Sequence, residues 1–126
     1  MASSPINEVC FVLPPALILL DLAGAADAFR IAATMGLAVR LRMLAPVAEG
    51  EIAPTALGVG LAGIEPLPAQ LGDHALIVVC GSTGSGDAVV SSPASVALIE
   101  WLRQHGGGRP LACVCSGALL AAAAGL

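Results

Sequence analysis

A chain of 126 residues can bury one core and leaves little for a second domain. It is 57% hydrophobic and 11% charged, with nine acids against five bases and a formal net charge of −4. Five bases scattered along the chain make no phosphate-binding patch, so residues 1–126 themselves are not expected to bind nucleic acid.

At the front, EVCFVL (Glu8 to Leu13) is an apolar run closed by Pro14-Pro15, and it reads as a buried strand followed by a loop. DLAGAADAFRIAATMG then places Leu22, Ala25, Ala26 and Phe29 on one helical face, with Asp21 as a possible N-cap and Gly36 as a stop. LAVRLRMLA (Leu37 to Ala45) alternates enough for a second strand, with Arg40 and Arg42 on one side. Residues 46–73 are broken by Pro46, Pro54, Pro66, Pro68 and several glycines, which predicts short strands and loops.

HALIVVCG (His74 to Gly81) has the run length of a buried strand and leads into the Gly/Ser-rich loop GSTGSGD. Ser92 and Pro93 signal a helix start, Leu98, Trp101, Leu102 and His105 share its face, and Gly106 stops it. PLACV is the next strand, and GALLAAAAGL begins a further helix. Strands that are apolar on both sides, alternating with helices, indicate a parallel α/β sheet with helices on both faces.

The longest uncharged run, residues 110–126, is seventeen residues long, but it starts with Pro and carries Ser116-Gly117 in its middle, so no membrane span is expected. No Lys or Arg precedes Glu8, so the basic region of a secretory signal is missing and a cytoplasmic location is expected. In that compartment Cys10, Cys80, Cys113 and Cys115 are expected as free thiols, with Cys10 and Cys113 shielded within strands and Cys80, at a strand end, the one rival to Cys115 in reactivity.

Cys115 carries the main chemical signal. A strand ends, one residue turns sharply, and Ser116, Gly117 and Ala118 let a helix start close by, which is the layout of a nucleophile elbow. A thiol there is exposed and near a helix N-terminus, where thiolate is favoured; the competing reading is a small buried cysteine in a strand-to-helix turn. Asp21 follows the C-terminal end of the first strand on the same sheet edge, either as an acid facing the thiol or as a helix cap.

Other motifs carry less. GVGLAG (Gly58, Gly60, Gly63) fits G-x-G-x-x-G but opens no helix, and GSTGSGD lacks the Lys-Ser/Thr of a phosphate-binding loop. Cys113-x-Cys115 does not have zinc-ligand spacing, so neither a metal nor a cofactor is expected. His74 and His105 fall at the N-terminal edge of the sheet, opposite the edge where α/β folds bind ligands, which leaves Cys115 without a histidine partner. Glu65, Asp73 and Glu100 have no placement comparable to that of Asp21.

The segments VCFVLPPALILLDLAGAADAFRIA, APTALGVGL, ALIVVCGS and WLRQHGGGRPLACVCSGALLAAAAGL together resemble the ThiJ/PfpI family of class I glutamine amidotransferase-like domains. More narrowly, the chain resembles the version found at the N-terminus of AraC-type transcriptional regulators. The resemblance implies a flavodoxin-like, glutamine amidotransferase-like fold with Cys115 as the reactive cysteine, Asp21 as the acid facing it, and oxyanion-type backbone donors at Gly81-Ser82 and Ser116. Gly81, Ser82, Ser116 and Gly117 then line the ligand site. The family's Pro-Gly, Gly-Pro and paired glycine stand here as Pro14-Pro15, Gly24-Ala25 and Gly81-Ser82.

Domains of this family continue for several strands and helices past the elbow helix. The resemblance therefore implies that residues 1–126 are the N-terminal portion of one α/β domain, C-terminally incomplete, with the remainder and any helix-turn-helix domain absent. It implies a small-molecule ligand, a homodimer in the complete protein, and DNA contact only through the absent domain. The expected function is ligand sensing for an AraC-family regulator. The alternative is a stand-alone cysteine-dependent hydrolase or hydratase, isocyanide hydratase-like, using Cys115 and Asp21; a redox sensor oxidised at Cys115 is a third reading.

Overall fold

β1 (Glu8–Val12) is the middle strand of the sheet, and Val9, Cys10, Phe11 and Val12 are all 0% exposed because both of its faces are covered. The computed structural model describes residues 5–126. After β1 come α1 (Leu19–Thr34), β2 (Arg40–Ala45), β3 (Ala53–Pro54), β4 (Gly60–Leu61), β5 (Glu65–Pro66) and β6 (Ala75–Val79). The chain continues through α2 (Gly86–Ser91), α3 (Pro93–His105), β7 (Leu111–Cys113) and α4 (Gly117–Ala123). The five-stranded sheet has the order β5-β2-β1-β6-β7, and every pair in it is parallel.

Burial on both faces explains the unbroken apolar strands. α1 covers one side, where Leu22, Ala25, Ala26 and Phe29 pack with Val9, Phe11 and Val78. The other side holds Cys10, Val12, Ile77 and Val79 against Val89 of α2, Leu98, Trp101 and Leu102 of α3, and Leu120 of α4. Trp101 Nε1 donates to the Pro68 carbonyl at 2.7 Å, which ties the Pro-rich segment onto α3.

Several expectations need correction. Asp21 does not cap α1: the N-cap is Ile18, and Asp21 lies in the first turn with its side chain turned to other work. The second strand starts at Arg40, not Leu37. Within the Gly/Ser-rich stretch a short helix, α2, forms because Val89 finds a buried place in the core. Gly58, Gly60 and Gly63 serve the small antiparallel β3–β4 hairpin, with Gly58 and Gly63 at positive φ. Ser92 caps α3 as the sequence indicates, its hydroxyl accepting from Ser95 N.

Arg40 and Arg42 share one side of β2, and Arg42, whose side chain is 14% exposed, bridges Glu65 at 2.6 Å and Glu8 at 2.9 Å. Burial pushes the Glu8 carboxyl up, but hydrogen bonds from Arg42 and the Cys10 thiol, with the arginine charges, carry it below its ordinary 4.5. A carboxyl depressed by folding stabilises the chain above its unfolded pKa, and that contribution is lost as pH falls through the folded value. Urea midpoints are thus expected to drop as pH falls below 4.5. Arg42→Gln, which strands Glu8 in a largely buried place, should cost about 2–3 kcal/mol at neutral pH, below the range for fully buried pairs because Glu65 is more exposed.

Candidate functional site

The site is built where two loops meet at the C-terminal edge of the sheet. β1 connects through α1 to β2 on one side, while its other neighbour is β6, so the β1/β6 boundary is the topological switch point where α/β folds open a crevice. Pro14-Pro15 ends β1, Ala16 follows with φ 54°, and Leu17 bridges both Thr55 and Ser82. Ile18 N donates to the Gly81 carbonyl at 3.0 Å, Thr83 N donates to the Ala16 carbonyl at 3.1 Å, and Ser82 Oγ donates to the Pro15 carbonyl. These bonds fasten the loop after β1 to the loop after β6.

From the first turn of α1 the Asp21 carboxylate reaches that junction, and its Oδ2 accepts a 3.2 Å hydrogen bond from Gly81 N. The elbow comes from the other side. Val114 N donates to the Val79 carbonyl at 2.9 Å, holding the end of β7 on β6, and the chain then turns through Cys115 at φ 53°. A non-glycine residue in this left-handed region costs roughly 1–2 kcal/mol, strain of the kind found at functional sites. Cys115 is exposed. Gly117 lies so close to β6 that a Cβ there would collide with the Val79 carbonyl oxygen and stand 3.0 Å from that of Cys80.

Ser116 clasps the two loops together. Its Oγ accepts from Ser82 N at 2.9 Å and donates to the Ser82 carbonyl at 2.7 Å. Gly81 is the common point of the site: a Cβ on it would strike Asp21 Oδ2, stand 3.0 Å from Cys115 Cβ and 3.3 Å from Ser116 N. Asp21, Gly81, Ser82, Cys115, Ser116 and Gly117 are therefore brought together from α1, the β6–α2 loop and the β7–α4 turn.

The backbone donors are unequal. Gly81 N–H is engaged by Asp21 and Ser82 N–H by Ser116, whereas among the described residues Ser116 N–H has no hydrogen-bond partner. Beside the site lies an apolar hollow of about 340 Å³ lined by Ile18, Leu19, Leu20, Ala56, Leu57 and Thr83. Leu20 and Leu57 there are 77% and 72% exposed. Cys115 stands outside that lining.

The four thiols differ in accessibility, and not entirely as the sequence suggests. Cys10 and Cys80 are buried, and burial pushes each up to about 12, helped at Cys10 by Glu8 and at Cys80 by the Asp21 charge. Cys80 is thus no rival to Cys115. Cys113, expected to be shielded inside a strand, is exposed because β7 has a sheet partner on only one side; partial burial still pushes its thiol up. His74 directly precedes β6, and His105 ends α3 with its ring 4.9 Å from that of Trp101, so both stand at the edge away from Cys115. Glu65 and Glu100 are paired with Arg42 and Arg103.

The sequence points to the residues brought together here but not to how their loops are fastened. Ala16 at positive φ and the Ser82–Ser116 clasp have no local signature; only Pro14-Pro15 hinted at a forced turn. Among the described residues no three His, Cys, Asp or Glu side chains are grouped to hold a metal ion, and no helix is long and apolar enough to cross a membrane. The run 110–126 is divided into β7, the elbow and the seven-residue α4.

No protein-family profile matches the sequence, and no curated protein sequence matches it either. Solved structures do. A ThiJ/PfpI family protein from Pseudomonas syringae superposes with a TM-score of 0.74 at 19% identity, over 95% of this chain and 46% of that one. An AraC family transcriptional regulator from Pseudomonas putida superposes with a TM-score of 0.70 at 22% identity, over 94% of this chain and 71% of that one. The chain spans about half the length of the P. syringae protein. At these identities the likeness is one of fold, and in fold the chain resembles the ThiJ/PfpI family, a likeness it shares with an AraC family regulator.

Proposed function

We propose that the chain is the ligand-sensing, amidotransferase-like N-terminal part of an AraC-family transcriptional regulator, binding a small nitrogen-containing compound at the Asp21/Cys115 edge. The observation that carries this reading is the engagement of two of the three backbone donors, those of Gly81 and Ser82. Turnover at a carbon centre attacked by Cys115 needs N–H groups aimed at the charge that develops there. Gly81 N–H and Ser82 N–H are already bonded to Asp21 and Ser116, which favours holding a ligand over turning it over. The fold likeness to an AraC family regulator supports the same reading.

DNA contact belongs elsewhere in this scheme. Arg30 pairs with Asp27, Arg42 with Glu8 and Glu65, and Arg103 with Glu100, Arg40 lies 4.0 Å from Glu65, and Arg109 donates to the His105 and Gly72 carbonyls. With all five arginines engaged, residues 1–126 are expected to give no sequence-specific gel shift even at low salt.

The competing reading, a cysteine-dependent hydrolase or hydratase, is favoured by one feature, an exposed thiol in a strained backbone conformation beside a carboxylate. A panel of small amines, amides and isocyanides separates the two when thermal shift and turnover are both measured. Sensing predicts a ligand-induced rise in melting temperature that survives Cys115→Ser, with no product formed. Product formation that Cys115→Ser abolishes would establish the enzyme and overturn the sensor.

A further inference from the structure

A second cavity lies on the same sheet edge but across the Leu13–Pro15 segment from Cys115. It has a volume of about 180 Å³ and lies among the ends of β1 and β2, the start of β3 and the first turn of α3. Its walls include Pro14, Pro15, Pro46 and Pro54, with Ala94 contributed by α3. Proline has no N–H, so these four positions offer carbon and carbonyl oxygen but no backbone donor. The prolines therefore give an entering anion no N–H partner.

Among the described residues, Glu51, itself exposed, is the only charged one lining the cavity. Its Oε2 accepts from Ala48 N at 3.2 Å, which anchors the carboxylate; Oε1 has no partner among the described residues. The opposing pole is the N-terminus of α3, worth about half a charge before screening, and Ser92 already caps it through Ser95 N. A full carboxylate outweighs that partial positive charge, and all five arginines are committed to other partners. The size is also informative, because an apolar cavity of about 150 Å³ holds a benzene ring.

We propose that this cavity is a separate binding site for a small organic cation, an aromatic or compact aliphatic body carrying one ammonium group, with the body against the prolines and the charge at Glu51. It does not depend on Cys115 or Asp21, so it stands or falls apart from the sensing role proposed for them.

The test uses benzylamine, benzyl alcohol and benzoate as probes of one shape and three charges, with binding followed by amide chemical shifts on the full 126-residue chain. Benzylamine is expected to saturate, shifting residues 45–54 and Ala94, and to bind about two- to fivefold tighter than benzyl alcohol, as a partly exposed charge pair allows. Benzoate is expected to bind most weakly. Glu51→Gln should remove the advantage of the amine while leaving the alcohol unchanged, Ala94→Leu should displace all three, and Cys115→Ser should change nothing. Benzoate binding as tightly as benzylamine, an amine preference that survives Glu51→Gln, shifts confined to the Cys115 edge, or no saturable binding would each overturn the proposal.

Discussion

Treatment of the folded chain with a small alkylating agent is expected to modify Cys115 first and well ahead of the other three cysteines. The attacking species is thiolate, so rate follows both exposure and the ease of deprotonation. Cys10 and Cys80 fail on both counts: they are buried, and burial pushes their thiols up to about 12, so thiolate is scarce at neutral pH. Cys113 is the true competitor, exposed on β7 but with its thiol raised by partial burial. Cys115 is exposed, at a left-handed turn of the backbone.

Mass mapping of the first modified peptide checks this, and Cys115→Ser should abolish the fast phase. Asp21→Asn keeps the shape of the acid and removes its charge. Because the carboxylate lies against the same point of Gly81 as Cys115, that substitution is expected to change the labelling rate. Equal labelling of all four cysteines, or faster labelling of Cys10, in a demonstrably folded sample would sink the elbow as a reactive site, and with it the cysteine-dependent enzyme.

How far the site could be read in advance differs from residue to residue, for physical reasons. Strands buried on both faces announce themselves by composition, so β1 and β6 were legible from runs such as HALIVVCG. The elbow was legible because close approach of a helix to a strand demands small residues, and Gly117 shows the demand in its contact with Val79. Asp21 was placed on the correct edge but with two possible roles, since a helix cap and a site acid look the same in sequence. Its bond to Gly81 N spans 60 positions of the chain, and no local pattern encodes it. α2 was hidden because Gly86 and the serines around it speak for a loop, while Val89 is decided by the core. The exposure of Cys113 is not legible in sequence because shielding in a strand depends on neighbours, and among the described residues β7 pairs only with β6.

The two glycines of the site are expected to fail in opposite ways when replaced by alanine. At Gly117 the added methyl meets backbone: it would collide with the Val79 carbonyl oxygen and lie 2.8 Å from the Val79 carbonyl carbon. The chain is held close here by the Val114 N to Val79 carbonyl bond and the Gly117 N to Val114 carbonyl bond, each 2.9 Å. Gly117→Ala should therefore cost about 3 kcal/mol or more, in the range of severe overpacking. At Gly81 the added methyl meets a side chain, Asp21 Oδ2, which has rotamers to move into, and only then Cys115 Cβ at 3.0 Å. The expected cost of Gly81→Ala is about 1–2 kcal/mol, chiefly the lost hydrogen bond from Gly81 N to the carboxylate. Its larger effect should fall on the site: with the carboxylate driven away, the labelling rate of Cys115 is expected to approach that of Asp21→Asn, and combining the two substitutions should add little. Urea unfolding and alkylation measured on the same samples separate the cases. A Gly81→Ala chain as unstable as Gly117→Ala, or one that labels at the wild-type rate, would show that Asp21, Gly81 and Cys115 do not act as one site.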